Sequence, residues 1–314
     1  MEKTVMLALA VLLLHEGAPL MTPAQNGGRG PDPHGYDVLI RRCAEHETSD
    51  LQSPRQFEFM EKLEWSWGSE TRAVIETAEG RADRIVSFND QPLAADQQAK
   101  QRQRLLKLLN NSKAARSEIA AQHDEAERRL KMIRNLPDAF FMEYSGAEPD
   151  GRLRFDFQPN PEFAPYNRET QVYKGMRGSL WIDAAAERIV GVKGVLFKDV
   201  SFGWGILGKL HKGGRYEVAQ TEIRPGVWRI TTLNLDLKGR VLFSSLRILR
   251  RESSSAFAAT AHDLSYRDAL LRLLNDPPSP PAVPVTTPTA AGQPVRSHSQ
   301  VSGSTVSHRT AHAH

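Results

Sequence analysis

The spacing of apolar side chains changes period twice along the chain. Between Gln56 and Trp67 it runs at two: Phe57, Phe59, Leu63, Trp65 and Trp67 share one face of a strand, and Glu58, Lys62, Glu64 and Ser66 share the other. A turn at Gly68-Ser69 and two further strands, Glu70–Thr77 and Ala82–Phe88, predict an antiparallel meander. From 93 to 136 the period becomes helical. Leu93–Leu109 and Ser112–Leu136, rich in Ala, Gln, Glu, Lys, Arg and Leu, predict two helices that break at Asn110-Asn111 and stop at Pro137. Alternation then returns. Ala139–Tyr144 and Arg152–Phe157 predict a hairpin with Leu153, Phe155 and Phe157 on one face, followed by an irregular loop from 158 to 173. Lys174–Asp183, Arg188–Phe197, Gly214–Ile223, Val227–Leu237 and Arg240–Leu249 predict five more strands, with turns that include Lys238-Gly239. Tyr36–Glu47 and Asp263–Asn275 read as short flanking helices.

These elements predict a mainly β (α+β) fold, an antiparallel sheet large enough to curl, with the helical hairpin 93–136 packed on it as a lid. At its N-terminus, 1–26 has the pattern of a secretory signal peptide: Lys3, an apolar run from Thr4 to Leu14, and small residues at Thr22-Pro23-Ala24. That pattern predicts export to the periplasm or cell envelope. A Gly/Pro-rich leader follows over 27–35, the folded domain covers 36–276, and the Pro-, Ser-, Thr- and His-rich stretch 277–314 predicts a disordered tail.

Charge and composition narrow the chemistry. The 314 residues carry a formal net charge of +4 with both signs interspersed, which argues against a nucleic-acid partner. Cys43 is the only cysteine, so no intramolecular disulfide and no multi-cysteine metal site can form. Cys43 and His46, three apart, would share a helix face, a weak nucleophile signal beside the plain reading of a surface helix. The histidines at 298, 308, 312 and 314 lie in the tail, where no rigid element orients them toward a metal. Phe202-Gly203-Trp204-Gly205-Ile206-Leu207-Gly208 has the spacing of a dinucleotide phosphate loop, yet Gly213-Gly214 follows after one turn and Tyr216–Gln220 alternates as a strand. A strand–loop–strand unit offers no helix N-terminus to a pyrophosphate. Sequence motifs for a hydrolytic nucleophile, a zinc site or a phosphate loop with Lys-Ser/Thr are missing, so no cofactor and no enzyme activity are expected.

The apolar strand faces are the remaining signal. Phe57, Phe59, Leu63, Trp65, Trp67, Phe155, Phe157 and Trp181 are the candidate lining of a hydrophobic cavity for an acyl chain or lipid. Packed flat against helices, the same residues would instead be ordinary core. Lys100, Arg102, Arg104, Lys107, Lys113, Arg116, Arg128, Arg129 and Arg134 make the helical hairpin basic, a surface for an anionic membrane or an acidic partner, with Glu118, Asp124, Glu125 and Glu127 as counter-charges if the face is merely solvated.

Lys174-Gly175-Met176-Arg177-Gly178-Ser179-Leu180-Trp181-Ile182-Asp183, leading through a turn into Arg188-Ile189-Val190, resembles a strand pair of the LolA-like lipoprotein carriers of bacterial envelopes. The stretch from Phe202 to Ile230 is similar to the loop and strands that follow in those proteins, and the resemblance covers about residues 50 to 250. It implies a half-barrel that binds an acyl group without covalent chemistry or cofactor, as a carrier of lipoprotein or lipid or as a sensor. The long basic hairpin and the tail depart from the family pattern. The competing expectation is an envelope protein–protein interaction module with a solidly packed sheet and no ligand.

Overall fold

The computed structural model describes residues 35–53, 56–203 and 207–275. The expected signal peptide, nearly all of the leader and the tail lie outside the described residues. Helix α1 (Tyr36–Gln52) leads into strands β1 (Phe57–Trp65), β2 (Gly68–Glu76), β3 (Arg81–Phe88) and the short β4 (Gln91–Pro92). Helices α2 (Ala95–Asn110) and α3 (Ser112–Ala139) follow. Next come β5 (Phe140–Ala147), β6 (Leu153–Pro159), a single helical turn α4 (Arg168–Gln171), β7 (Met176–Asp183), β8 (Arg188–Leu196), β9 (Val200–Phe202) and β10 (Gly208–Leu210). Strands β11 (Arg215–Arg224), β12 (Val227–Val241) and β13 (Ser244–Ala259) and helix α5 (Tyr266–Asn275) complete the described fold.

All thirteen strands join one open antiparallel sheet, in the order β4-β3-β2-β1-β13-β12-β11-β8-β7-β6-β5, with β10 on β12 and β9 on β10. The mainly β, antiparallel fold read from the alternation is therefore what the chain adopts. The return of β13 to pair with β1 is the one long-range closure, and it places the two meanders side by side.

In-register residues share a face, so the pairings divide the sheet into two surfaces. Phe155, Leu180, Val192, Val218, Leu233, Glu252, Leu63 and Glu70 form one transverse row on what we call the inner face. Over β5–β8 and β11 this face carries a core of Phe140, Phe155, Phe157, Leu180, Ile182 and Tyr216, covered by Leu39, Ile40 and Cys43 of α1. Leu136 and Met132 of α3 pack against the same cluster. The outer face is polar along β6–β13, with pairs such as Lys193–Glu217 and Asp236–Arg247. It is apolar only over β1–β3, where Met60, Ala73, Ile75 and Ala82 meet α2 and α5 through Leu105, Leu108, Leu270 and Leu273.

Helix α3 passes from one side of the sheet to the other. Its Ala114, Ala115 and Ile119 pack into the outer cluster. One turn on, the Gln122 amide accepts from the Arg81 N–H at 2.7 Å and donates to the Arg81 carbonyl at 2.9 Å, replacing the strand that this edge of β3 lacks. Met132 and Leu136 then reach the inner cluster, and the Met132 carbonyl accepts the Tyr173 hydroxyl at 2.8 Å. Asn111, a one-residue link, ends α2 and caps α3 by accepting the Ala114 N–H at 3.0 Å.

Several boundaries differ from the sequence reading: the last strand runs to Ala259 rather than Leu249, and α1 to Gln52 rather than Glu47. Helix α3 runs through Pro137 to Ala139. Its last carbonyls find partners outside the helix, at the side-chain amide of Asn160 (2.9 Å to Asp138) and the Asn160 N–H (2.9 Å to Ala139). The expected turn at Lys238-Gly239 is instead the interior of β12, and the chain reverses at Leu242-Phe243. Gly239 serves close approach rather than turning: a Cβ there would collide with the Lys209 carbonyl of β10. The described residues flanking the glycine loop, in β9 and β10, pair antiparallel with Phe202 opposite Gly208, so a strand, not a helix, follows it.

Gly194 in β8 leaves room for the Tyr216 ring, whose hydroxyl donates to the Arg177 carbonyl at 3.3 Å. A Cβ at Gly194 would overlap both the Tyr216 hydroxyl and that carbonyl. Gly194→Ala is expected to destabilise the fold by about 1–3 kcal/mol through overpacking. Urea unfolding that shows an unchanged midpoint would mean that Tyr216 does not hold this position.

Candidate functional site

The middle of the inner face is incompletely covered. Val192 of β8, Val218 of β11, Leu233 and Leu235 of β12 and Ile248 of β13 point to this side and are only part-buried. They form an apolar strip across the sheet, which we call the trough. One end meets the aromatic core under α1, with Val192 and Leu235 packed against it. Near the turn end of the sheet, Leu196, Val200, Phe202, Leu210 and Leu237 close the floor, and Ile248 packs against them.

The opposite wall is charged. In the transverse rows, Leu233 is followed by Glu252 and Leu235 by Arg250, two side chains on one face of β13 that contact each other. Beyond them Glu61, only 8% exposed, takes both terminal nitrogens of Arg81, at 2.7 and 3.1 Å. Arg72 pairs with the buried Glu70, and Arg229 lies 3.4 Å from Glu76. Glu125 and Arg129 of α3 fall within electrostatic reach of Arg250, so the helix passes over this wall. At the sheet edge Asp83 accepts from Arg104 of α2 at 3.1 Å, and Arg104 reaches Glu118 of α3 at 3.2 Å.

Ionised groups in such number on a covered face persist because each finds an opposite partner. Burial is the largest influence on Asp83 and would raise its pKa. Arg104, Arg72 and Arg81 together outweigh it and hold the carboxyl below the ordinary aspartate range. Burial likewise pulls Arg250 below its usual value, with Glu61 acting against it.

A hairpin arm overhangs the wall. Pairing of β11 with β8 ends at Ala219, and pairing of β12 with β13 begins at Thr232, so 220–230 extends with neither neighbour. A bulge between Ala219 and Gln220 bends it. Its Ile223 and Val227 pack with Phe57, Phe59, Val74 and Phe257, and the Arg229 guanidinium stands 4.9 Å from the centre of the Phe57 ring.

The eight residues singled out in the sequence are divided by this geometry. Phe57 and Phe59 are buried under the arm, Phe155 and Phe157 belong to the core under α1, and Leu63 is buried in the charged wall's row. Trp65 stacks on Trp67 at 5.1 Å, and Trp67, in the turn after β1, is half exposed. Trp181 alternates with Leu180 and Ile182, so it faces outward, where its indole N–H donates to Glu148 at 2.8 Å. Sequence reasoning missed the trough floor and Glu61, although Glu61 stands in phase with Phe59 and Leu63. Of the basic hairpin residues, Arg104, Lys100 and Arg129 are paired within the chain.

A concavity of about 330 Å³ lies between α1 and α3, lined by Arg41, Ala44, Glu45, Thr48, Arg134 and Pro137 among others, and none of the eight residues reaches it. Cys43 is fully buried, and burial pushes its thiol pKa up to about 12, the opposite of what a nucleophile needs. Among the described residues no cluster of three or more His, Cys, Asp or Glu is arranged to hold a metal ion, and no helix is long and apolar enough to cross a membrane. Comparison with family models, curated proteins and solved structures finds no match to this chain.

Because its folded pKa is lowered, Asp83 contributes stability above the ordinary aspartate range and loses it as the pH falls through the lowered value. Asp83→Asn should therefore cost about 3 kcal/mol at neutral pH, the low end for a broken buried pair, since Arg104 keeps 27% of its side-chain exposure. As the pH falls below that lowered value the two proteins should converge. Chemical denaturation across that range checks this, and a cost independent of pH would show that Asp83 is not held ionised by its guanidinium neighbours.

Proposed function

We propose that this chain binds an amphiphile without chemical conversion, laying an acyl chain in the inner-face trough with its polar end toward the charged wall. The observation that carries this reading is the row Val192–Val218–Leu233 with Leu235 and Ile248: apolar side chains on a face that is elsewhere covered by α1, α3 and the hairpin arm, here only part-buried. Removing that surface from water supplies about 25 cal/mol per Å². Arg250 and Glu252 stand where the apolar row ends, which suits a headgroup with both donors and acceptors. The binder operates as a carrier or sensor in the cell envelope on this reading, consistent with the resemblance of the strand pair around Trp181 to lipoprotein carriers. An acceptor protein in the envelope would receive or read the cargo.

The trough, rather than the aromatic positions first singled out, is the place to perturb. Trp substituted for Leu233 fills the floor from a part-buried position and leaves the aromatic core intact. Uptake of a fluorescent fatty acid by the wild-type chain should tighten about fourfold per added methylene until the trough is full. Leu233→Trp should weaken it at least about tenfold with the melting temperature preserved. A folded wild-type protein that takes up neither fatty acid nor lysophospholipid sinks the reading and leaves the interaction module with its solidly packed sheet.

A further inference from the structure

We propose that the tip of the β12–β13 hairpin is a membrane-contact element, which places Leu242 and Phe243 among the acyl chains of an anionic lipid surface. The register sets the geometry. Pairing of β13 with β1 stops at Glu64–Arg251, whereas pairing with β12 continues to Val241–Ser244. The segment Ser244–Arg250 therefore runs beyond β1, a projection of roughly 24 Å at strand rise. On the other flank the short strand β10 accompanies it, with Leu207 and His211 bonded to Leu242 and Lys238 at its two ends.

At the apex Phe243 is 100% exposed and Leu242 50% exposed. Leu207, 36% exposed, lies beside them and accepts the Leu242 N–H at 3.3 Å. Leu242 has φ +51°, at the first central position of a two-residue reversal, where hairpins ordinarily place glycine. A leucine there is strained and half exposed, and Phe243 beside it is fully exposed. Transfer to hydrocarbon would offset the cost of that exposure.

The charges behind the apex identify the surface. Arg240 stands opposite Lys209, and Lys238 opposite Arg247, so four cations occupy both strands and the flanking strand within about four residues of the tip. Asp199, 2.7 Å from Lys209, and Asp236, 3.7 Å from Arg247, are carboxylates that stand among them. In-register residues share a face, so these cations all lie on the outer face of the hairpin. Apolar groups at the very end with cations set back along one face fit insertion of the tip into a slab with that face turned to anionic headgroups. Long Arg and Lys stems can reach those headgroups while the tip enters the acyl layer. The contact is peripheral and independent of the trough.

The buried Cys43 leaves room for a site-specific probe. Ser244→Cys in the full chain, labelled with an environment-sensitive nitrobenzoxadiazole, should show a blue shift and severalfold brighter emission on vesicles of phosphatidylcholine mixed with phosphatidylglycerol, and a weaker response on phosphatidylcholine alone. Adding Leu242→Ser and Phe243→Ser, changes at exposed positions, should reduce the response at least about tenfold. Arg240→Glu with Arg247→Glu should abolish the preference for anionic vesicles. Emission unchanged by either vesicle overturns the proposal, as does a response that survives loss of Leu242 and Phe243, or one that only an added protein elicits. Leu233→Trp should leave the vesicle response intact, so failure at the tip and failure in the trough are read separately.

Discussion

The passage of α3 around the edge of β3 organises this molecule. A long open sheet exposes two faces and two edges, and each must be covered, paired or made polar. One helix of 28 residues does three of these tasks in sequence. Its first turns seal the outer apolar patch, Gln122 substitutes for a missing neighbour strand at Arg81, and its last turns cap the aromatic core on the inner face. Because the outer face over β6–β13 is polar, no second layer is needed there, and the cover can be concentrated on one side.

That economy explains the charged wall. Where α3 crosses from the edge to the core, neither its own charged middle nor the underlying strands supply continuous apolar surface. Glu61, Arg81, Glu70, Arg72, Glu76 and Arg229 fill the region as pairs. Replacing such pairs with well-packed hydrophobic residues is often neutral or stabilising. Their presence on a covered face is therefore weak evidence for stability and better evidence for a polar boundary that the fold maintains, between the apolar trough and the aromatic cluster beneath the hairpin arm.

The overall architecture was legible in the chain because it rests on local signals. Period-two alternation marked the strands, and the switch to helical spacing marked α2 and α3 to within a few residues. Glu61 shows where the reading ended. A two-residue period puts it beside Phe59 and Leu63, but the aromatic side chains drew the eye past a carboxylate whose partner, Arg81, lies 20 positions away. The trough was hidden for a different reason: Val192, Val218 and Leu233 come from separate strands, and only register aligns them. Alternation gives the face of a residue on its own strand and says nothing about which residue stands opposite.

Glycine misled in an instructive way. Lys238-Gly239 carried the composition of a turn, while the reversal occurs at Leu242-Phe243, a pair that turn chemistry disfavours. Both facts have one physical source. Gly239 is needed where β10 approaches β12 so closely that a Cβ would strike the Lys209 carbonyl, which keeps β12 extended past it. The hairpin then has to reverse at the next permitted place, two strand residues further on. Two large apolar side chains are thus carried to the end of the longest hairpin, where Leu242 is half exposed and Phe243 fully so.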